Sequence, residues 1–315
     1  MPNPAASTGP RGSRASVGWR HVGLGLVVLM VTATTACFGG ATGDVPGKID
    51  VVATTNVWGS VAAAVGGRRV AVLSIIHDPA QDPHSYEASS RTLLTVKNAD
   101  LLIENGGGYD DFMGRMISSA DASAPVLDAV EISGRVAPPG GELNEHVWYD
   151  LPTVSAVADA IAERLSALAP RHADEFAANA ARFDQGVARL EAAVHREAGV
   201  AAQAGVAVTE PVPLYLLEAM GLRNLTPPEF SSAVEEGGDV SPRVLAETLD
   251  LFESQQVALL VYNEQTSGPV TEEVKAAAED AGVPVVPVTE TLPAETSYLT
   301  WMEHNIHAIS SALAR

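Results

Sequence analysis

The feature that most constrains the fold of this 315-residue chain is a long amphipathic segment near its middle. Apolar residues recur there at steps of four, three, four, three and four positions, at Phe176, Ala180, Phe183, Val187, Leu190 and Val194. This spacing predicts one helix that starts after Pro170 and runs to about Gly199, roughly 27 residues and about 40 Å long. The steps also fit the heptads of a coiled coil. Because the repeat is short and lies between two segments of alternating strands and helices, we interpret it as a rigid strut between two lobes.

Strand and helix patterns alternate on both sides of this segment. Apolar runs typical of strands lie at residues 49–54, 69–76, 100–104 and 125–127 before it, and at 205–209, 257–262 and 283–288 after it. Alternation of this kind predicts parallel sheets with helices on both faces. We therefore expect an α/β fold of two lobes, each a mostly parallel sheet with flanking helices. The expected lobes are residues 48–168 and 201–315, joined by the long helix at 169–200.

The N-terminal part has the composition of a secretory leader. A polar stretch with three arginines and no acid precedes an apolar run at 22–31. That run has about half of the roughly 20 residues that a membrane span requires. The only cysteine, Cys37, follows a sequence that resembles a bacterial lipobox, although Thr34 stands where leucine is usual. We expect 1–36 to be a signal peptide, Cys37 a lipidated first residue and 37–47 a flexible tether. The protein would then be extracytoplasmic and anchored to the cell membrane.

Charge and cysteine content exclude several classes of function. The chain has 39 acidic and 19 basic residues, which gives a formal net charge of −20. Such a balance argues against nucleic acid as a partner and suits a surface that tolerates cations. A single cysteine allows no disulfide framework and no thiolate metal site. Any bound metal must therefore be held by histidine, carboxylate or water.

Two histidines and two glutamates occupy the places where α/β proteins bind ligands, just beyond the carboxyl ends of strands. His84 follows the second strand in a loop stiffened by Pro83, and His146 lies in the loop before a predicted helix. Glu210 ends the 205–209 strand, and Glu290 follows the 283–288 strand. Because each lobe supplies two of these residues, the site is expected in the cleft between the lobes. Two imidazoles and two carboxylates form a charge-neutral site for a divalent ion.

Each of the four residues also has an ordinary structural explanation. Either histidine could serve as a hydrogen-bonding loop residue, and Glu210 and Glu290 could cap the helices that follow them. Their common place at strand ends, two in each lobe, favours the metal site. Glu295 lies close to Glu290 in sequence and is an alternative fourth ligand.

Five short motifs resemble one known family in their order and spacing. They are DPHSYE at 82–87, EHVW at 145–148, TEP at 209–211, YNEQT at 262–266 and VTETL at 288–292. The chain from about Ile49 onward is similar to the metal-binding lipoproteins that feed zinc and manganese ABC importers. The resemblance implies two α/β lobes joined by a long helix. It also implies that the metal ligands are His84, His146, Glu210 and Glu290.

The resemblance leaves zinc and manganese open as the transported ion. Members that resemble zinc carriers usually have a third histidine where this chain has Glu210. Many of them also have a histidine-rich loop, whereas residues 91–145 contain no histidine here. Two carboxylates make the site more acceptable to Mn²⁺, yet the intrinsic affinity of most ligand sets rises from Mn²⁺ to Zn²⁺.

The leading hypothesis is a non-enzymatic, monomeric solute-binding protein. It would hand its ion to a separate membrane permease driven by an ATPase. One alternative is an extracellular metal-dependent enzyme that uses a site of two histidines and a carboxylate. Another is an adhesin-type surface lipoprotein, which would leave the four candidate ligands unexplained.

Overall fold

The structure is a computed structural model that describes residues 47–78, 86, 88–198 and 203–314. These residues form two four-stranded sheets in which all paired strands are parallel. The strands are β1 (Ile49–Thr55), β2 (Val70–Ile76), β3 (Leu101–Glu104), β4 (Val126–Asp128), β5 (Gly205–Val208), β6 (Arg223–Asn224), β7 (Leu260–Asn263) and β8 (Val285–Val288). We call the part around β1–β4 the first lobe and the part around β5–β8 the second lobe.

Helices alternate with these strands along the chain. They are α1 (Asn56–Gly66), α2 (Ser90–Asn98), α3 (Phe112–Ala120), α4 (Ala129–Ser133), α5 (Leu151–Leu168), α6 (Ala173–Ala198), α7 (Leu214–Ala219), α8 (Pro228–Glu235), α9 (Pro242–Glu253), α10 (Pro269–Asp280) and α11 (Tyr298–Leu313). Serine side chains cap the first turn of α2, α9 and α11. The hydroxyl of Ser241 accepts from the N–H of Val244, and that of Ser297 accepts from the N–H of Thr300. Each serine thereby satisfies a helix N–H that has no partner within its own helix.

The two sheets share one strand order. The order is β2-β1-β3-β4 in the first lobe and β6-β5-β7-β8 in the second. In each sheet the chain first adds a strand on one side of the initial strand and then crosses to its other side. The direction of winding therefore changes between β1 and β3, and again between β5 and β7. Ligands of open α/β sheets bind beyond the carboxyl ends of the strands at such switch points.

Apolar packing joins the lobes. The largest cluster of buried apolar side chains contains Trp58 and Trp148 from the first lobe and Val208, Val288 and Leu292 from the second. Each lobe also has a smaller cluster of its own. Burial of this shared apolar surface stabilises the two lobes as one body.

The long helix is present as α6, which has 26 residues and a length of about 39 Å. All six apolar positions that predicted it are buried. It packs against α5 and α1 in the first lobe and against the C-terminal α11. Gly186 permits the close approach of α11, because a Cβ atom there would lie 2.4 Å from Cδ1 of Leu299. In the described part of the chain, no helix combines the length and apolarity needed to cross a membrane.

The predicted α/β fold of two parallel-sheet lobes with a long helix is confirmed. Three short elements were not predicted, namely α4, β6 and α8. The segment that contains Pro211 and Pro213 forms a turn before α7 begins at Leu214. Asp150 stands at the N-cap position of α5, but its carboxylate bonds Arg135 and Thr153 instead of a helix N–H.

Candidate metal centre

Two glutamates lie buried beyond the carboxyl ends of the second sheet. Glu210 follows β5 and Glu290 follows β8, and their exposed fractions are 2% and 1%. Because β7 lies between β5 and β8 in the sheet, the two side chains approach each other across the end of β7. The structure thus brings together two of the four predicted ligands.

The side-chain amide of Asn263, the last residue of β7, bridges these two carboxylates. Its Nδ2 donates to Oε2 of Glu210 and, at 2.8 Å, to Oε1 of Glu290. Its Oδ1 accepts from the backbone N–H of Gln265 at 3.1 Å. An amide oxygen that faces a donor fixes the orientation of the group, so the NH₂ end points at the carboxylates.

Neutral donors also contact the remaining oxygens of the pair. The hydroxyl of Thr266 donates to Oε1 of Glu210. The hydroxyl of Tyr109 donates to Oε2 of Glu290 at 3.0 Å, and this bond joins the first lobe to the second. Since Thr266, Tyr109 and Asn263 carry no charge, these bonds hold the carboxylates in place without cancelling their negative charge. Such an arrangement suits a cation.

His146 lies fully buried in the loop before α5. Asn144 orients its ring, because Oδ1 of Asn144 accepts from the backbone N–H of His146 at 3.1 Å and lies 2.8 Å from Nδ1. The Nδ2 of Asn144 donates in turn to the carbonyl of Pro211 at 3.0 Å. This network assigns the proton of the neutral ring to Nδ1 and the lone pair to Nε2. An Nε2 lone pair is what a metal ligand needs.

Aromatic rings surround the imidazole. The ring centroid of Trp148 lies 5.0 Å from that of His146, and the ring of Tyr109 lies 5.9 Å away in an edge-on arrangement. Both aromatic residues are almost completely buried. An apolar shell of this kind limits the access of water to a metal ligand and fixes its orientation.

A third glutamate, Glu235 at the end of α8, is partly buried and was not among the predicted site residues. Its Oε1 lies 3.4 Å from Nε2 of His146. One ligand atom each from Glu145, His146 and Glu235 lies within 4.8 Å of the others. Burial is the main reason that the pKa of Glu235 rises to about 9, and nearby negative charges contribute, from Glu145, Glu210, Glu290 and Glu236. This carboxyl therefore shares one electrostatic environment with the predicted ligands.

The residues at the two ends of α8 are typical of helix boundaries, so the sequence could have predicted the helix that carries Glu235. Pro228 is the first residue of this helix, a position where the missing N–H of proline has no penalty. Gly237, with a positive φ of 64°, follows the helix and ends it in the way that glycine commonly does. Glu235 lies in the last turn between these two signals.

A cavity of about 680 Å³ opens beside the cluster. Its lining includes the acidic residues Glu142, Glu145, Glu235 and Glu236, with Arg135 also on its wall. Clefts lined mainly by one sign of charge raise the local concentration of oppositely charged ions. The cavity is thus suited to draw cations toward the buried donors.

His84 and Cys37 fall outside the residues that the structure describes. Glu295, the alternative to Glu290, is exposed and has a positive φ of 58°. Of this pair, Glu290 is the residue that belongs to the buried cluster.

Two parallel-sheet lobes, with a buried imidazole and buried carboxylates where they meet, define a two-lobe binding protein whose donors suit a transition-metal ion. The sequence model of the family described as "ZnuA: Zinc-uptake complex component A periplasmic" matches residues 51–312. The chain belongs to this family.

Individual relatives agree with this assignment. The chain is 27% identical over 316 residues to "Manganese-binding lipoprotein MntA" of Bacillus subtilis (strain 168). This alignment covers 92% of this chain and 99% of the relative. The chain is also 26% identical over 309 residues to "Zinc-binding protein TroA" of Treponema pallidum (strain Nichols). That alignment covers 92% of this chain and 97% of the relative. The solved structure of the periplasmic zinc-binding protein TroA from Treponema pallidum superposes with a TM-score of 0.73 at 24% identity, covering 85% of this chain and 100% of that one.

The predicted resemblance to metal-binding lipoproteins of ABC importers is therefore confirmed. The names of the relatives include both zinc and manganese, the two ions that the sequence left open. The family consists of transporter binding components, and nothing in the comparisons favours the alternatives of an enzyme or an adhesin.

Proposed function

We propose that this protein is the extracytoplasmic binding component of an ABC importer and that it captures Zn²⁺ or Mn²⁺ for delivery to a membrane permease. The permease would be driven by a separate ATPase. The proposed ligands are His84, His146, Glu210 and Glu290. The observation that carries the proposal is the buried pair of carboxylates, held by neutral donors close to a buried imidazole.

The electrostatics of the pair explain why a cation belongs there. Removing an ionised carboxylate from water is costly unless an opposite charge or several hydrogen bonds compensate it. Glu210 and Glu290 share the amide of Asn263, so two such groups lie in one buried site. A divalent ion would offset both charges at once, and two imidazoles would complete a coordination number of four.

The N-terminal sequence supports a proposal for the location of the protein. We propose that residues 1–36 are removed as a signal peptide and that Cys37 carries the lipid anchor. Residues 37–47 would tether the protein to the membrane near its permease, where it acts as a monomer. Relatives named as lipoproteins support this arrangement.

The domain boundaries complete the proposal. Residues 48–168 and 201–315 would form the two lobes, with 169–200 as the connecting segment. The ion would be held between them, and its release would require a shift of the ligand loops or of the lobes. A site that encloses an ion with four ligands does not exchange it readily without such a movement.

Thermal unfolding with and without metal tests the proposal. The purified protein is stripped with a chelator and then titrated with Zn²⁺ and Mn²⁺ separately. A ligand that binds only the folded state stabilises it by about 2.7 kcal/mol at a hundredfold excess over its dissociation constant. We expect a rise in Tm with at least one ion, and the order of the two ions identifies the preferred cargo.

Histidine variants provide the controls. His84→Ala and His146→Ala should abolish the metal-dependent rise in Tm. His195→Ala should keep it, because His195 is an exposed residue of α6. The absence of any shift in the unmodified protein, or a full shift in His146→Ala, would contradict the proposed site.

A further inference from the structure

We propose that Asn263 is a positioning residue that sets the preference of the site for Zn²⁺ over Mn²⁺. It would do so by holding one oxygen of Glu210 and one oxygen of Glu290. The inference rests on the proposed function, in which these glutamates are metal ligands.

The amide is fixed in a single orientation. Asn263 has an exposed fraction of 1%. Its backbone N–H donates to Oγ1 of Thr209 at 2.9 Å, and its Oδ1 accepts from the N–H of Gln265 at 3.1 Å. The two N–H groups of Nδ2 are then left for the two carboxylates. A residue held in this way cannot turn aside when an ion arrives.

Asn263 differs from the other donors because it contacts both glutamates. Thr266 donates to Glu210 and Tyr109 donates to Glu290. Loss of either hydroxyl would remove a hydrogen bond from one carboxylate, whereas loss of the amide would remove one from both. The separation of the two carboxylates therefore depends chiefly on Asn263.

The bridge also restricts how each carboxylate can coordinate. The oxygens that the amide does not hold accept from the rotatable hydroxyls of Thr266 and Tyr109 and keep a lone pair for a metal. Because the amide itself is fixed, each carboxylate would bind a metal through that one oxygen. Two such carboxylates and two imidazoles give four donors, the tetrahedral set typical of Zn²⁺. Manganese favours a larger shell of oxygen donors, which carboxylates bound through both oxygens would supply. Removing the amide should therefore raise the affinity for Mn²⁺ relative to the affinity for Zn²⁺.

The experiment compares full-length protein with Asn263→Ala and Asn263→Ser by competition binding of Zn²⁺ and Mn²⁺ to chelated samples. Outer-shell partners of metal ligands typically contribute 10- to 100-fold to affinity. We expect the Kd for Zn²⁺ to rise by about 10- to 100-fold in Asn263→Ala. The ratio of the Mn²⁺ Kd to the Zn²⁺ Kd should fall by about tenfold or more. Asn263→Ser, which retains one donor, should give intermediate values.

Asn179→Ala is the matched control, because Asn179 is another buried asparagine whose amide serves the backbone. Its Nδ2 donates to the carbonyl of Val65 at 2.7 Å. This variant should lower the Tm of the metal-free protein and leave the ratio of the two Kd values unchanged. A purely structural role for Asn263 would give the same result in the Asn263 variants.

The outcomes separate the inference from the proposed function. If the unmodified protein binds neither ion, the proposed function fails. If it binds an ion and folded Asn263→Ala keeps both Kd values, only the inference is overturned. Failure of both Asn263 variants to fold in saturating Zn²⁺ would also overturn it, since the residue would then be required for folding itself.

Discussion

The two sheets end in asparagines at matching places, and these asparagines have different partners. Asn105 directly follows β3, Asn263 ends β7, and β3 and β7 hold the same place in the strand order. Oδ1 of Asn105 accepts from Nε1 of Trp58 at 3.2 Å, and its Nδ2 donates to the carbonyl of Glu145 at 2.9 Å. Asn263 instead bonds the carboxylates of the candidate site. Asn105 of the first lobe thus holds a loop in place, whereas Asn263 of the second lobe holds the side chains of two candidate ligands.

This difference shows two ways in which one topology can supply metal donors. In the second lobe, Glu210 and Glu290 leave the ends of strands and are held by side-chain hydrogen bonds. In the first lobe, His146 lies on a loop that hydrogen bonds of Asn105 and Asn144 hold, and its ring also packs against Trp148. We therefore expect the candidate ligand of the first lobe to respond to changes in aromatic packing as well, and those of the second lobe chiefly to changes in hydrogen bonding.

The largest effect should come from Trp148→Ala. Truncation of a buried tryptophan or phenylalanine typically lowers the free energy of unfolding by about 3–5 kcal/mol. Because Trp148 also packs against His146, its loss should weaken metal binding as well as stability. Phe252→Ala, in the separate apolar cluster of the second lobe, should have a similar effect on stability and leave metal affinity unchanged. Chemical denaturation and metal titration measure the two quantities, and equal losses of affinity would remove the distinction between the lobes.

A smaller effect is expected for Tyr109→Phe, which removes the hydroxyl that reaches Glu290 from the first lobe. Loss of an outer-shell partner should weaken Zn²⁺ binding by about tenfold. Tyr262→Phe is a matched control, because the hydroxyl of Tyr262 donates to Glu272 at 2.6 Å and not to a candidate ligand. Calorimetric titration of both variants tests this. Unchanged affinity in Tyr109→Phe would mean that the second lobe holds its carboxylates without help from the first.

The smallest effect should come from substitution of Glu104, the acid at the end of β3. Burial, together with the charges of Asp110, Asp128 and Asp111, raises the pKa of Glu104 from 4.5 to about 7. The folded state then keeps a proton that the unfolded state loses, so stability should fall as the pH rises from about 4.5 to about 7. Glu104→Gln should remove this loss and raise the free energy of unfolding at pH 8 by about 1 kcal/mol, less than the full shift implies because the group is partly solvated.

Denaturation of Glu104→Gln and the unmodified protein across this range of pH measures the difference. Two parallel stability curves would mean that this carboxyl is already compensated in the folded protein. The first lobe would then resemble the second in holding its strand-end acids by hydrogen bonds.

The sequence was sufficient for features that depend on local pattern. The heptad-like spacing predicted α6, and the places of Glu210 and Glu290 after apolar runs predicted that both lie at one edge of a parallel sheet. These inferences need only the periodicity of helices and the common direction of parallel strands.

Features that depend on contacts between distant segments were not predicted. Asn263 lies within a motif that the sequence singled out, but its bridge joins residues that are 53 and 27 positions away. Tyr109 follows three glycines, and its contact with Glu290 spans 181 positions. Glu235 was missed because α8, the short helix that carries it, was not predicted. In each case the position depends on contacts between distant segments, within one lobe or between the two, which local sequence patterns do not contain.

The pairing of α6 with α11 has a mechanical consequence. The chain leaves the first lobe along α6 and returns to it through α11, which packs beside α6 where Gly186 removes the bulk of a side chain. Two helices packed side by side resist bending more than a single helix does. A hinge movement that opens the two lobes would strain α6 and α11 at once. The movement that needs least energy would therefore be a local displacement of the loops that surround the ion. Loading and unloading would then leave the overall outline of the molecule nearly constant, and a docking partner would have to distinguish the two states from small changes at the rim of the cleft.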